Sequence, residues 1–191
     1  WRRLRTVEPM AKLEQKRLWR TIVDAIQAPA QAAAWQRKQA AKRMMDSIKE
    51  HVEKGFPVNA QPYGPSMAEL IAGMGGDHLP LLTRLFWSGA NLSAPNTKDG
   101  TLPIEVAAAM GHTAVVRRLY EMGCGVGGAV HYALTESMSA VVELFLRGRD
   151  EEPPGLGVPM GLRVHGLSIL EYAVIIDRGQ MAEWLLKRAQ K

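Results

Sequence analysis

Apolar and polar positions alternate along most of this chain at helical spacing, but in runs too short to stand as independent helices. LPLLTRLFWSG (79–89), TAVVRRLYEMG (113–123), SAVVELFLRG (139–148) and QMAEWLLKRA (180–189) each set apolar pairs about one turn apart, with polar residues between them. A shorter helical run precedes each one, opened by Ser66-Met-Ala-Glu69, Leu102-Pro-Ile-Glu105, His131-Tyr-Ala-Leu and Ser168-Ile-Leu-Glu171. Helices of two or three turns are marginal alone in water. The pattern therefore predicts helical hairpins, each needing neighbours to cover its apolar side.

The punctuation agrees. Gly55, Gly89 and Gly123 recur at steps of 34 residues, each just past a predicted helix, where glycine enters the left-handed region without a Cβ penalty. Ser66 precedes Glu69, and Ser168 precedes Glu171, by the spacing of a capping box, so these glutamates read as helix caps rather than catalytic acids. Pro103 falls in a first turn, which tolerates proline. Self-similarity at such a period marks a stacked array.

Residues 99–126 resemble an ankyrin repeat. Asp99-Gly100, Pro103, Ala107-Ala108, Gly111-His112, Val115-Val116, Leu119 and Gly123 match that family's pattern as they stand. Ser66 to Ala94 matches more loosely, with an extra residue near Gly75-Gly76. Residues 129–149 lack most of the leading hairpin. Residues 166–189 match again at Gly166, Ser168, Leu170, Ala173, Leu185 and Leu186, and PVNA (57–60) is similar to the tail of one more, degenerate repeat. A tetratricopeptide array shares the period but not the glycine-then-extended tail. Glutamate replaces the family's histidine at 69, 105 and 171. The resemblance implies an all-α ankyrin-repeat solenoid over residues 55–191, with an insertion at 148–166 and residues 1–54 as a helical extension or N-terminal cap.

It also implies a function. Ankyrin arrays bind proteins on a concave face made of hairpin tips and first-helix residues. Here those positions are Met74, Ala109-Met110, Thr135-Glu136 and Ile175-Ile176, with tips from Asn96 through Lys98 to Asp99. Several are apolar on a face that is usually wet, which suggests that a partner covers them. The expectation is a non-enzymatic protein–protein interaction module, a scaffold or accessory subunit held in a multi-subunit complex.

Charge adds an alternative. Residues 1–54 carry 13 Lys and Arg against 6 Asp and Glu, while residues 55–191 carry 11 against 13. Residues 8–27 read as a helix, capped by Thr6, and 31–54 as one long helix or a bent pair forming a degenerate repeat. Trp35, Arg37, Lys38, Lys42 and Arg43 would make a basic arm, either a solvated face over the end of the array or a grip on RNA phosphates in a ribonucleoprotein. The 148–166 stretch, with three prolines and five glycines, cannot continue a helix; it is expected as an elongated finger or an unstructured loop.

Candidate chemistry is thin. GCGVGG (123–128) follows a helix, where a dinucleotide fingerprint must follow a strand. The five histidines show no metal spacing, and one cysteine, Cys124, makes neither an intrachain disulfide nor a structural zinc site. The reading expects no enzyme activity, cofactor, metal or small-molecule substrate. No apolar run approaches the roughly 20 residues of a membrane span. The expected setting is intracellular, in cytosol, nucleus or organelle matrix. Trp1, which opens the stretch WRRLR, suggests a processed or trimmed end.

Overall fold

The computed structural model describes residues 65–164 and 166–190, together with positions 17, 39, 42, 43, 46, 58, 59 and 61. Over these residues the protein is all-α apart from one two-residue ladder. Eight described helices follow in order: α1 Met67–Ala72, α2 Leu79–Trp87, α3 Pro103–Ala109, α4 Thr113–Glu121, α5 Ala129–Thr135, α6 Ser139–Leu146, α7 Ile169–Ile175 and α8 Gly179–Ala189. A single 3-10 turn, Gly76–His78, leads into α2.

Each helix packs on the next as a hairpin: α1 on α2, α3 on α4, α5 on α6, α7 on α8. The first helices α1, α3, α5 and α7 also pack side by side in chain order, and α2, α4 and α6 form a second row. The core is the seam between the rows. Ile71, Leu82, Leu85, Val116, Leu119 and Phe145 are all fully buried there. Alanines at 72, 107, 108, 129, 133 and 173 keep the first helices slim on their buried sides, and small contact residues let helix axes approach closely.

The hairpin ends follow from the punctuation. At the end of α4, Gly123 has φ +88° and the Cys124 N–H donates to the Leu119 carbonyl at 3.0 Å. Ala90 repeats that bond to Leu85 after Gly89. This is the Schellman closure, which satisfies a carbonyl the helix leaves orphaned. The tight turns inside the hairpins close in the same way, with His112, Met138 and Arg178 donating to Ala107, Ala133 and Ala173. Two of these turn residues then reach the preceding hairpin. His112 Nε2 lies 3.1 Å from the Gly73 carbonyl, and Arg178 Nε donates to the Leu134 carbonyl at 3.2 Å. Met138, in the same backbone conformation, has no such group and lies against Gly111 instead.

Residues 148–166 depart from the expected finger. The chain doubles back under α6, and the N–H groups of Leu156, Val158 and Gly157 donate to the carbonyls of Leu144, Phe145 and Arg147 at 2.8 Å each. These are the orphan carbonyls of the end of α6, so the strap serves as its cap. Leu156 and Val158 are buried in the core. A Cβ on Gly155 would fall 2.2 Å from the Arg147 oxygen, so only glycine lets the strap approach this closely. Arg188 of α8 locks the strap from outside, donating to the Leu146 carbonyl at 2.8 Å and to both carboxylate oxygens of Glu151. The segment then forms the antiparallel pair β1 Arg163–Val164 and β2 Leu167–Ser168, with Arg163 opposite Ser168.

Candidate interaction surface

Because the first helices lie side by side, equal positions on them form columns across the molecule. Counting from Glu69, Glu105, His131 and Glu171, the residue one step on is Leu70, Val106, Tyr132 or Tyr172. Four steps on come Gly73, Ala109, Thr135 and Ile175, and five steps on Met74, Met110, Glu136 and Ile176. Offsets of three and four put all three columns on one helix face, and none of these residues is buried. Apolar exposure on the face is uneven: Met74 is half-buried, Met110 is 57% exposed and Ile175 64% exposed, with Tyr132 also open. Ile176 is half-buried, and Glu136, the C-cap of α5, is exposed.

The glutamates of the first column tie successive units together. Glu69 closes a capping box with Ser66, and its Oε1 also accepts from Asn96 Nδ2 at 3.0 Å. Glu105 accepts the Leu102 N–H at 2.8 Å and the Gly128 N–H at 2.6 Å, although Leu102 has no side-chain acceptor to complete a box. Glu171 makes the box with Ser168 and lies 3.6 Å from Arg163. Burial pushes the Glu69 carboxyl above its ordinary pKa, opposed by the Asn96 amide and the Ser66 N–H.

This changes the account of the tip. Asn96 is buried, donates to Glu69 and accepts the Lys98 N–H at 3.0 Å, so it braces the tip in the free chain. Lys98 is exposed beside it. Asp99, also exposed, accepts the Thr101 N–H at 2.9 Å, and that bond holds its carboxyl below the usual range. Of the basic arm, Trp35, Arg37 and Lys38 lie outside the described residues; Lys42 and Arg43 are helical and exposed.

The connections around α5 differ in reach. Residues 88–102 and 147–168 each extend to a turn, while 122–128, between α4 and α5, is short and ends in Gly127-Gly128. A notch of about 820 Å³ occupies this place. Asp99, Gly100 and Thr101 line it from the tip before, and Leu162, Arg163 and Leu167 from the β1–β2 hairpin after. Glu105, Gly127, Gly128, His131, Tyr132, Thr135, Glu136 and Tyr172 complete it. His131 packs edge-on against Tyr172 at 4.7 Å, and the Tyr172 hydroxyl lies 2.8 Å from Thr135 Oγ1.

Two of these features have no counterpart among the positions expected from the sequence. The column of Leu70, Val106, Tyr132 and Tyr172 was one helical step away and carried an aromatic signal. The notch needed the strap's path, which no local pattern specifies. Among the described residues, no group of three or more His, Cys, Asp or Glu is placed to hold a metal ion, and no helix is long and apolar enough to cross a membrane. Cys124 is buried, and burial raises its thiol pKa, away from nucleophile chemistry. Compared with known proteins, the chain matches no family model and no curated protein.

Proposed function

We infer that the chain is an ankyrin-type helical-hairpin solenoid whose first-helix face binds a protein, and that it serves as a scaffold or accessory subunit in a larger assembly. The observation that carries the reading is the set of exposed apolar and aromatic residues on that face, Met110, Tyr132 and Ile175, flanked by the exposed polar residues Thr135 and Glu136. Apolar side chains in a contiguous patch on an open surface mark contact sites, and a few such anchors with a polar rim supply most of an interface's affinity. The side-by-side order of the first helices supports the solenoid, as does the inter-unit bonding by Glu69, Glu105, His112 and Arg178.

A photo-crosslinking residue at Met110 or Ile175 in cells, with native mass measured at low and high salt, tests this. The reading expects one discrete crosslinked protein from both sites and a complex that survives high salt. A monomer at both salt concentrations with no crosslink refutes it. The exposed Lys42 and Arg43 in the basic N-terminal third favour a second reading, contact with RNA phosphates. A complex that dissolves with salt or ribonuclease supports that reading instead.

A further inference from the structure

The notch over Gly127 and Gly128 is distinct in chemistry from the apolar row beside it. Its two open acidic groups are Asp99 and Glu136, and neither makes an ion pair among the described residues. Glu105 also lines the notch, but its carboxylate is engaged by two backbone N–H groups. The one cation in the lining, Arg163, is already committed: it donates to the Gly166 carbonyl at 2.6 Å and lies 3.6 Å from Glu171. The open charge in the notch is therefore negative, in a chain whose net charge is +5.

The floor and the aromatic wall suit an extended chain with a cationic side chain. Gly127 and Gly128 present backbone without side chains. A Cβ on Gly127 would meet Glu105 Oε1 at 2.8 Å, so the clamp that joins the units also keeps the floor bare. Tyr132 is 43% exposed at its edge. A guanidinium or ammonium head is attracted both to a tyrosine face and to carboxylates, and arginine is the better match because its planar fork stacks and donates at once.

We propose that this notch takes a basic segment of a protein partner, an extended stretch whose arginine or lysine head is held by Tyr132, Asp99 and Glu136. This rests on the reading of the first-helix face as a protein-binding surface and adds the partner's chemistry. The short connection between α4 and α5 is what opens the site.

A display library of random dodecapeptides, selected on the full chain, tests it. Enriched peptides are then synthesised and their Kd measured against wild type, Glu136→Lys and Tyr132→Ala in the notch, and Met110→Asp and Ile175→Asp in the apolar row. Circular dichroism checks that each variant is folded; should Tyr132→Ala lose structure, Glu136→Lys decides alone. The expected result is enrichment of arginine and lysine, with binding weakened about tenfold or more by Glu136→Lys and equally by replacing the peptide's basic residue with glutamine. Enriched peptides without basic residues, binding untouched by Glu136→Lys, or no enrichment overturns the proposal. If non-basic peptides lose binding to Met110→Asp or Ile175→Asp, the notch proposal falls while the apolar row stands. Self-association of the chain that Glu136→Lys abolishes would make its own basic third the occupant and also overturn the proposal.

Discussion

Replacing Glu105 with alanine removes one carboxylate and leaves two backbone donors without a partner. The first is the Leu102 N–H at the start of α3, in a half-buried position. The second is the Gly128 N–H in the next connection, 23 residues on, in a buried one. A hydrogen bond to a charged acceptor contributes about 1.5–3 kcal/mol, and a buried donor left unmatched costs about 1–3 kcal/mol. Water reaches the Leu102 amide in the variant, so its loss lies near the bottom of the range, about 1 kcal/mol; the Gly128 amide, whose bond at the N-cap of α5 is buried, loses about 2 kcal/mol. The total is about 3 kcal/mol, a large share of the stability of a domain this size. With a urea slope of about 2 kcal/mol/M, the midpoint should fall by about 1.5 M. Glu105→Gln keeps one acceptor oxygen and should lose about half as much. Glu121→Ala, which removes an exposed carboxylate 3.4 Å from Arg118, is the control and should cost under about 0.5 kcal/mol. Amide hydrogen exchange adds a local check, with Gly128 losing its protection in the alanine variant. If Glu105→Ala matches Glu121→Ala in urea and Gly128 stays protected, the carboxylate is not the clamp and the reasoning fails.

Two further outcomes follow from the strap and from the acidic groups. Leu156→Ala should cost about 2–4 kcal/mol in urea unfolding, as for a buried core leucine; a loss under about 0.5 kcal/mol would mean that the strap rests on the surface without contributing to the core. The Glu151 carboxylate is held down to about 2 by Arg188 and the Gly148 N–H, so its stabilising contribution is present above about pH 4.5 and lost as pH falls toward 2. Glu69 has the opposite sign: its raised pKa penalises the folded state above that pKa, and acidification toward 4.5 relieves it. Acid titration of stability should therefore show wild type losing its advantage over Glu151→Gln while gaining on Glu69→Gln; parallel curves for either variant would refute its assignment.

Much of the fold was legible because its determinants are local. The eight described helices fall on the runs that the apolar spacing marks, and the serine–glutamate spacings at 66–69 and 168–171 become capping boxes with both hydrogen bonds made. Glu105 has no such serine before it and its shorter bond reaches Gly128, and sequence spacing says nothing about a partner in the next unit. The strap was misjudged for a related reason. Proline and glycine forbid a helix but do not fix a path, and the signal that mattered was the apolar residues among them, above all Leu156 and Val158, which are buried.

The same logic explains why the candidate site was half seen. Met110 and Ile175 stand exposed where helical spacing puts them, whereas Asn96 turns inward because Glu69 offers a buried acceptor that its side chain satisfies. The short connection at 122–128 looks in the sequence like erosion of a repeating unit. In the folded chain it has a definite consequence. Flanked by connections that do extend, its brevity leaves an opening, and Gly127-Gly128 becomes the floor of a notch that neighbouring units line with carboxylates and tyrosines. Where helical hairpins pack side by side, each one's surroundings are set by its neighbours, so a short connection beside one leaves its side chains open. Departures from the repeating pattern are thus the places where such a molecule acquires individual chemistry.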